Sequence, residues 1–203
     1  DLVVFTGDVV TGAPAEGMWR RLLDTMTARR VPFCVVLGNH DSEQDLSRQQ
    51  IGRIVTSYPG SLNALDAAGE LADRELEILG SGSRRPAWLL YCLDSHSESL
   101  LEGIDGYDRL RPEQVAWLRD RCTARRTANG GRAVPSLAFF HIVLPEYLAA
   151  WRNPSNTHIG RAAEAECPGA LNTGMFAAMI ETGSVAGTFV GHDHDIDYLV
   201  AEK

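Results

Sequence analysis

Aspartate, asparagine and histidine gather in four short runs of this sequence. They are Gly7-Asp8, Gly38-Asn39-His40-Asp41, the lone His141, and Gly191-His192-Asp193-His194. Carboxylate and amide oxygens with imidazole nitrogens, and no thiolate, suit Mn, Fe or Zn rather than a cysteine-held structural zinc. A carboxylate such as Asp8 has two oxygens and can bridge two ions. Two ions about 3.5–4 Å apart can share a hydroxide and clamp a phosphoryl group for in-line displacement. Taken singly, each run has an ordinary reading. Gly-Asp and Gly-Asn are common turn dipeptides, a histidine after a strand is usually solvated or hydrogen-bonded, and Asp41 suits an N-cap. Their recurrence in series is what points to a site.

Other clusters carry less. Asp94-Ser95-His96 has the composition of a hydrolytic triad, but triad members are spread through a sequence, so a loop at the rim of a site is the better reading. Asp193, Asp195 and Asp197 alternate like the start of a calcium loop, yet Tyr198 stands where such a loop needs glycine. His158 falls in a polar stretch and reads as exposed, and Glu146 and Tyr147 read as rim residues. The arginine pairs read as solvated faces, and Trp88 and Trp117 as core. The four cysteines form no C-x-x-C, and Cys34 and Cys92 lie in apolar runs as buried residues.

The elements that must position these residues alternate in type. Leu2–Thr6, Phe33–Leu37, Ala87–Leu93, Ser136–Phe140 and Val185–Val190 are short, continuous apolar runs, the pattern of strands covered on both faces. Helical periodicity marks Gly17–Arg30, Asp45–Ser57, Pro112–Arg126 and Ala170–Thr182. Alternation of the two predicts an α/β fold. Residues 60–86 are polar and mixed, and the segments after residues 57 and 141 read as decorations at one rim. Four of the strands end directly in the four metal-type runs, at the edge where α/β sheets bind ligands. The glycines there allow sharp turns and leave room for something close to the backbone.

Composition narrows the alternatives. With 44% apolar and 23% charged residues over 203 positions, the chain can bury a real core, which excludes disorder and coiled coil. Twenty-seven acidic against 19 basic side chains give a net charge of −8, so no nucleic-acid partner is expected. No apolar run approaches the ~20 residues of a membrane span.

The ordered series Gly7-Asp8, Gly38-Asn39-His40-Asp41, His141, Gly191-His192-Asp193-His194 resembles the calcineurin-like metallophosphoesterase superfamily. Phe139-Phe140-His141-Ile142, Leu144-Pro145-Glu146-Tyr147 and Leu93-Asp94-Ser95 are similar to its Dcr2-like, purple-acid-phosphatase-like branch. The resemblance implies a layered β-sandwich flanked by helices, with the active site at the carboxyl ends of strands. It implies two divalent or trivalent metal ions (Mn, Fe or Zn) and a phosphate-ester substrate, hydrolysed through a bridging hydroxide. Asp8 then corresponds to the bridging carboxylate, Asn39, His141 and His192 to further ligands of one ion, and His194 to a ligand of the other. His40 corresponds to the histidine that contacts phosphate and protonates the leaving oxygen, with Asp41 orienting it.

Two departures qualify the match. The family's D-x-H motif is absent and would precede Asp1, so residues 1–203 read as one metallophosphoesterase domain lacking its N-terminal strand, with loss of the last C-terminal strands left open. The tyrosine that purple acid phosphatases carry after the bridging Asp is Thr11 here, so no purple colour is expected. Phosphomonoesters are the expected substrates. The alternatives are a phosphodiesterase acting on cyclic nucleotides or phospholipid head groups, and a non-catalytic scaffold of the same fold.

Overall fold

A computed structural model describes residues 1–201. The chain runs β1 (Val3–Thr6), α1 (Ala15–Ala28), β2 (Phe33–Val36), α2 (Arg48–Thr56), β3 (Arg74–Leu79) and β4 (Pro86–Cys92). It continues through α3 (Pro112–Ala128), β5 (Ser136–Phe139), α4 (Glu146–Arg152) and β6 (Thr157–Ala162). It ends with α5 (Met175–Thr182), β7 (Val185–Phe189) and β8 (Ile196–Ala201).

Strand alternation explains the layers. In β2 and the residue after it, Phe33, Val35 and Leu37 pack with Trp19 and Leu23 of α1 and Ile51 of α2. Cys34 and Val36 point the other way and meet Leu90 and Cys92 of β4. The remaining face of β4, carrying Leu89 and Tyr91, packs against Leu118 of α3 and Met179 of α5. Side chains with period two therefore serve two cores from one strand. The result is helices, a two-stranded parallel sheet β1-β2, a four-stranded sheet β3-β4-β5-β7, and helices again. This is the expected α/β sandwich flanked by helices.

Local sequence sets the helix boundaries. Ser47 and Gln50 close a capping box, each side chain taking the other's backbone amide, so α2 starts at Arg48 rather than Asp45. Pro112 opens α3 as expected, while α5 starts only after Gly174, in left-handed conformation, and ends at left-handed Gly183.

Residues 60–86 differ from expectation. They hold β3, an edge strand antiparallel to β4, so this stretch extends the main sheet instead of decorating it. Its polar look is explained by Glu75, whose carboxylate accepts from Arg121 at 2.8 Å and from Arg125 Nε at 2.7 Å. Arg125 is thus tied down, not merely solvated. The segment after residue 141 supplies α4 and β6, and β6 pairs antiparallel with β8. Trp88 is 39% exposed and is not core: it lies where β4 pairs with the edge strand β3 alone, before its pairing with β5 begins at Leu89. His158 lies in β6, half-buried with its ring edge-on to Trp151. Tyr147 packs inward, its hydroxyl bonded to Thr188. Among the described residues, no helix is long and apolar enough to cross a membrane.

Candidate metal centre

β1 and β2 are parallel, as are β4, β5 and β7, so each sheet presents carboxyl ends on one edge. The two edges meet where Asp8 and Asn39, following β1 and β2, face His141 and His192, following β5 and β7. The glycines make this approach possible. A Cβ on Gly7 would lie 2.3 Å from His141 Nδ1, and one on Gly38 would lie 2.1 Å from Asp8 Oδ1. What comes close to these backbones is the neighbouring motif. Gly38→Ala is therefore expected to push Asp8 aside, costing about 1–3 kcal/mol by overpacking and weakening metal binding. Urea denaturation and a Zn titration would check both effects.

Four acceptor atoms converge. His141 Nε2 lies 3.0 Å from Asp8 Oδ2, 3.1 Å from Asn39 Oδ1 and 3.3 Å from His192 Nδ1. Among the described residues, Asp8, His141 and His192 each offer a ligand atom within 4.8 Å of the others. The His141 Nδ1 proton goes to the Thr6 carbonyl at 2.7 Å, which leaves Nε2 of the neutral ring as a lone pair. Asp8 Oδ2 is buried without a hydrogen-bond partner. Lone pairs about 3 Å apart repel unless a cation stands among them, so this set fits a metal ion, or else a proton on one imidazole. His192 resists that proton: burial, then the adjacent His141 ring, hold its pKa down at about 4. For Asp8, burial pushes upward, but the adjacent His141 ring and the His40 amide outweigh it and bring the carboxyl below its usual range.

Backbone strain concentrates here. Asp8 (φ 51°) and His192 (φ 61°) both occupy the left-handed region that non-glycine residues avoid. Asp8 is held there partly by the amide of His40, which donates to Oδ1 at 2.8 Å.

The remaining sequence candidates separate. Asp41 does not orient His40. It is fully buried, and its oxygens accept the amides of Val9 at 2.8 Å, Val10 at 2.9 Å and Gly38 at 2.8 Å. Adjacent side chains in this tight turn diverge, and the carboxylate on His40 is Glu43, 2.7 Å from Nδ1. Glu43, helped by its charge and those of Asp8 and Asp41, raises the His40 pKa against the opposing effect of burial. His194 is exposed and stands outside the cluster. Ser95 is no nucleophile-like residue: its buried hydroxyl accepts the amides of His141 and Ile142. Sequence reasoning passed over Glu43 and Tyr107, whose ring lies edge-on to His192 at 4.4 Å. Glu43 was legible as an acid three residues after His40, whereas nothing near Tyr107 marks it.

Comparison with known proteins covers nearly the whole chain. A family model described as calcineurin-like phosphoesterase matches residues 1–195. The chain is 31% identical over 218 residues to "probable inactive purple acid phosphatase 29" of Arabidopsis thaliana, covering 98% of this chain and 55% of that protein. It is 29% identical to "probable inactive purple acid phosphatase 14" of the same plant, covering 98% and 54%. Against the phosphatase DCR2 of Saccharomyces cerevisiae it is 31% identical, covering 99% of this chain and 37% of that protein. The chain thus spans about half the length of these plant relatives and less of the yeast one. With residues 1–195 matched, nearly the whole length, the chain belongs to the calcineurin-like phosphoesterase family.

Proposed function

We propose that this chain is the core of a metal-dependent phosphoesterase that hydrolyses phosphomonoesters, with two ions in its complete site. The observation that carries the reading is the convergence of Asp8 Oδ2, Asn39 Oδ1, His141 Nε2 and His192 Nδ1, four atoms that can each offer a lone pair to an ion. These residues would hold one ion, and Asp8 and His194 would contribute to a second. Bound divalent ions supply charge that stabilises a phosphoryl group as its oxygens gain negative charge. The chain's own part lies in His40. Glu43 fixes its Nδ1, which leaves Nε2 to contact the phosphoryl group and pass a proton to the leaving alcohol oxygen.

A second reading has a specific motive, since two of the plant relatives carry "inactive" in their names. In that reading the site binds a metal and a phosphorylated ligand without turnover. Assays of the complete protein with p-nitrophenyl phosphate and its bis-ester, in Mn or in Fe with Zn, separate the possibilities. Monoester hydrolysis lost more than a hundredfold on His40→Ala is expected. Turnover of the diester alone would favour the phosphodiesterase, and metal binding with no turnover of either would favour the scaffold.

A further inference from the structure

The segment Asp94–Asp108 supplies no ligand to the cluster, yet it touches two of the four ligand-bearing turns and reaches a third through Arg48. Ser95 Oγ, fully buried, accepts the amides of His141 at 3.3 Å and Ile142 at 2.9 Å. Asp94 takes Arg48 Nη2 on both oxygens at 2.6 Å, and Arg48 Nη1 donates to the Gly38 carbonyl at 3.3 Å, one residue before Asn39. Tyr107 lays its ring edge against His192 with the planes at 89°.

The segment is itself firmly tied at its base. The Asp94 amide donates to Asp73 at 2.8 Å, and the Asp94 carbonyl accepts from Gln114 at 2.8 Å. Across the hairpin, the Ser99 amide donates to the Gly106 carbonyl and the Asp108 amide to the Ser97 carbonyl, both at 2.8 Å. The Tyr107 carbonyl accepts the Ala170 amide at 3.0 Å. Only the tip is free, with Leu100 84% exposed. A rigid base linked to three turns, one of which carries a ligand, His192, in strained backbone, has the geometry of a brace.

We propose that Asp94–Asp108 is a positioning brace for the metal centre, so that order in this hairpin and metal binding are coupled. The proposal rests on the reading that Asp8, Asn39, His141 and His192 hold an ion. Coupling of this kind is reciprocal: whatever factor the brace adds to metal affinity, the metal returns as protection of the hairpin. Partners that orient metal ligands are typically worth about 10–100-fold in affinity. The Tyr107 contact uses the ring, not the hydroxyl, which makes no hydrogen bond among the described residues.

The test is Zn titration by calorimetry, with hydrogen exchange of the hairpin amides, on the chain and on Tyr107→Phe, Tyr107→Leu and Ser95→Ala. Tyr107→Phe is expected to match the parent in affinity and in Zn-dependent slowing of exchange at Ser99 and Asp108. Tyr107→Leu is expected to bind Zn at least about tenfold more weakly and to lose that slowing. Ser95→Ala is expected to weaken binding similarly, and should it fail to fold, the Tyr107 pair still decides. A tyrosine that merely filled space would not make hairpin exchange depend on metal. If the parent binds Zn but exchange ignores it and Tyr107→Leu binds equally well, the brace is overturned alone. If the parent binds neither Zn nor Mn, the metal-site reading itself falls and the brace with it.

Discussion

Alanine at position 41 is expected to destabilise the fold by about 3–5 kcal/mol, although Asp41 touches neither a ligand side chain nor the His40 ring. Asp41 is a carboxylate used as structural cement. Its two oxygens join the backbone at Val9 and Val10, just after Asp8, to the backbone at Gly38, just before Asn39. Removing it strands three amides where water does not reach, each worth about 1–3 kcal/mol and together less than additive. Burial raises the Asp41 pKa and the three amides pull it back, so the group sits in an environment built to receive an acceptor. Asparagine should do about half the damage: its oxygen can serve Val9 and Val10, but its NH2 then faces the Gly38 amide, donor against donor. The urea midpoint reads both losses directly. A change below about 1 kcal/mol for Asp41→Ala would show that the two turns keep their shape without it.

The second large effect belongs to the ion. At a hundredfold excess over its Kd, a ligand that binds only the folded state adds about 2.7 kcal/mol. For a chain of this size that raises Tm by about 5–11 °C. Zn or Mn is expected to produce this rise, and Asp8→Asn and His141→Ala are expected to abolish it. The two variants should differ without metal. Asp8→Asn keeps an oxygen for the His40 amide, now 2.8 Å from Oδ1, and places an NH2 where Oδ2 lies 3.0 Å from His141 Nε2. It thereby turns a repulsive pair into a donor and an acceptor, so its metal-free Tm should hold within about 2 °C. His141→Ala empties a fully buried position and should lower the metal-free Tm as well. Equal metal-induced shifts in parent and Asp8→Asn would remove Asp8 from the ligand set.

The strands that deliver the four motifs were legible because each is a continuous apolar run broken by glycine, a pattern that depends on neighbours in sequence. β3 was not, since Glu75 and Glu77 read as surface until Arg121 and Arg125, far along the chain, are brought over them. Arg48 looked like any polar residue in a first helical turn, and its work at Asp94 and Gly38 depends on a loop 46 residues away. The exchange of Asp41 for Glu43 at His40 has a different cause. Sequence adjacency suggested the neighbour, but a turn sends neighbours apart and returns the residue three positions on, whose amide also donates to the His40 carbonyl at 3.2 Å. The candidate ligands were thus local information, and the contacts that support them were not.

The meeting of two sheet edges has a consequence for how the protein is made. Asn39 and His141 meet across 102 residues, and the His141 ring is hydrogen-bonded to the Thr6 carbonyl across 135. A ribosome adding about 5–20 residues per second needs roughly 8–30 s to travel from the asparagine to the last histidine of the cluster. Until His141 is made, about two thirds of the way through, this cluster has only one carboxylate and one amide, a pair that retains no transition metal firmly. If these residues hold an ion as proposed, it enters only after the second half is made, and the metal content of a preparation would count molecules whose two halves have docked.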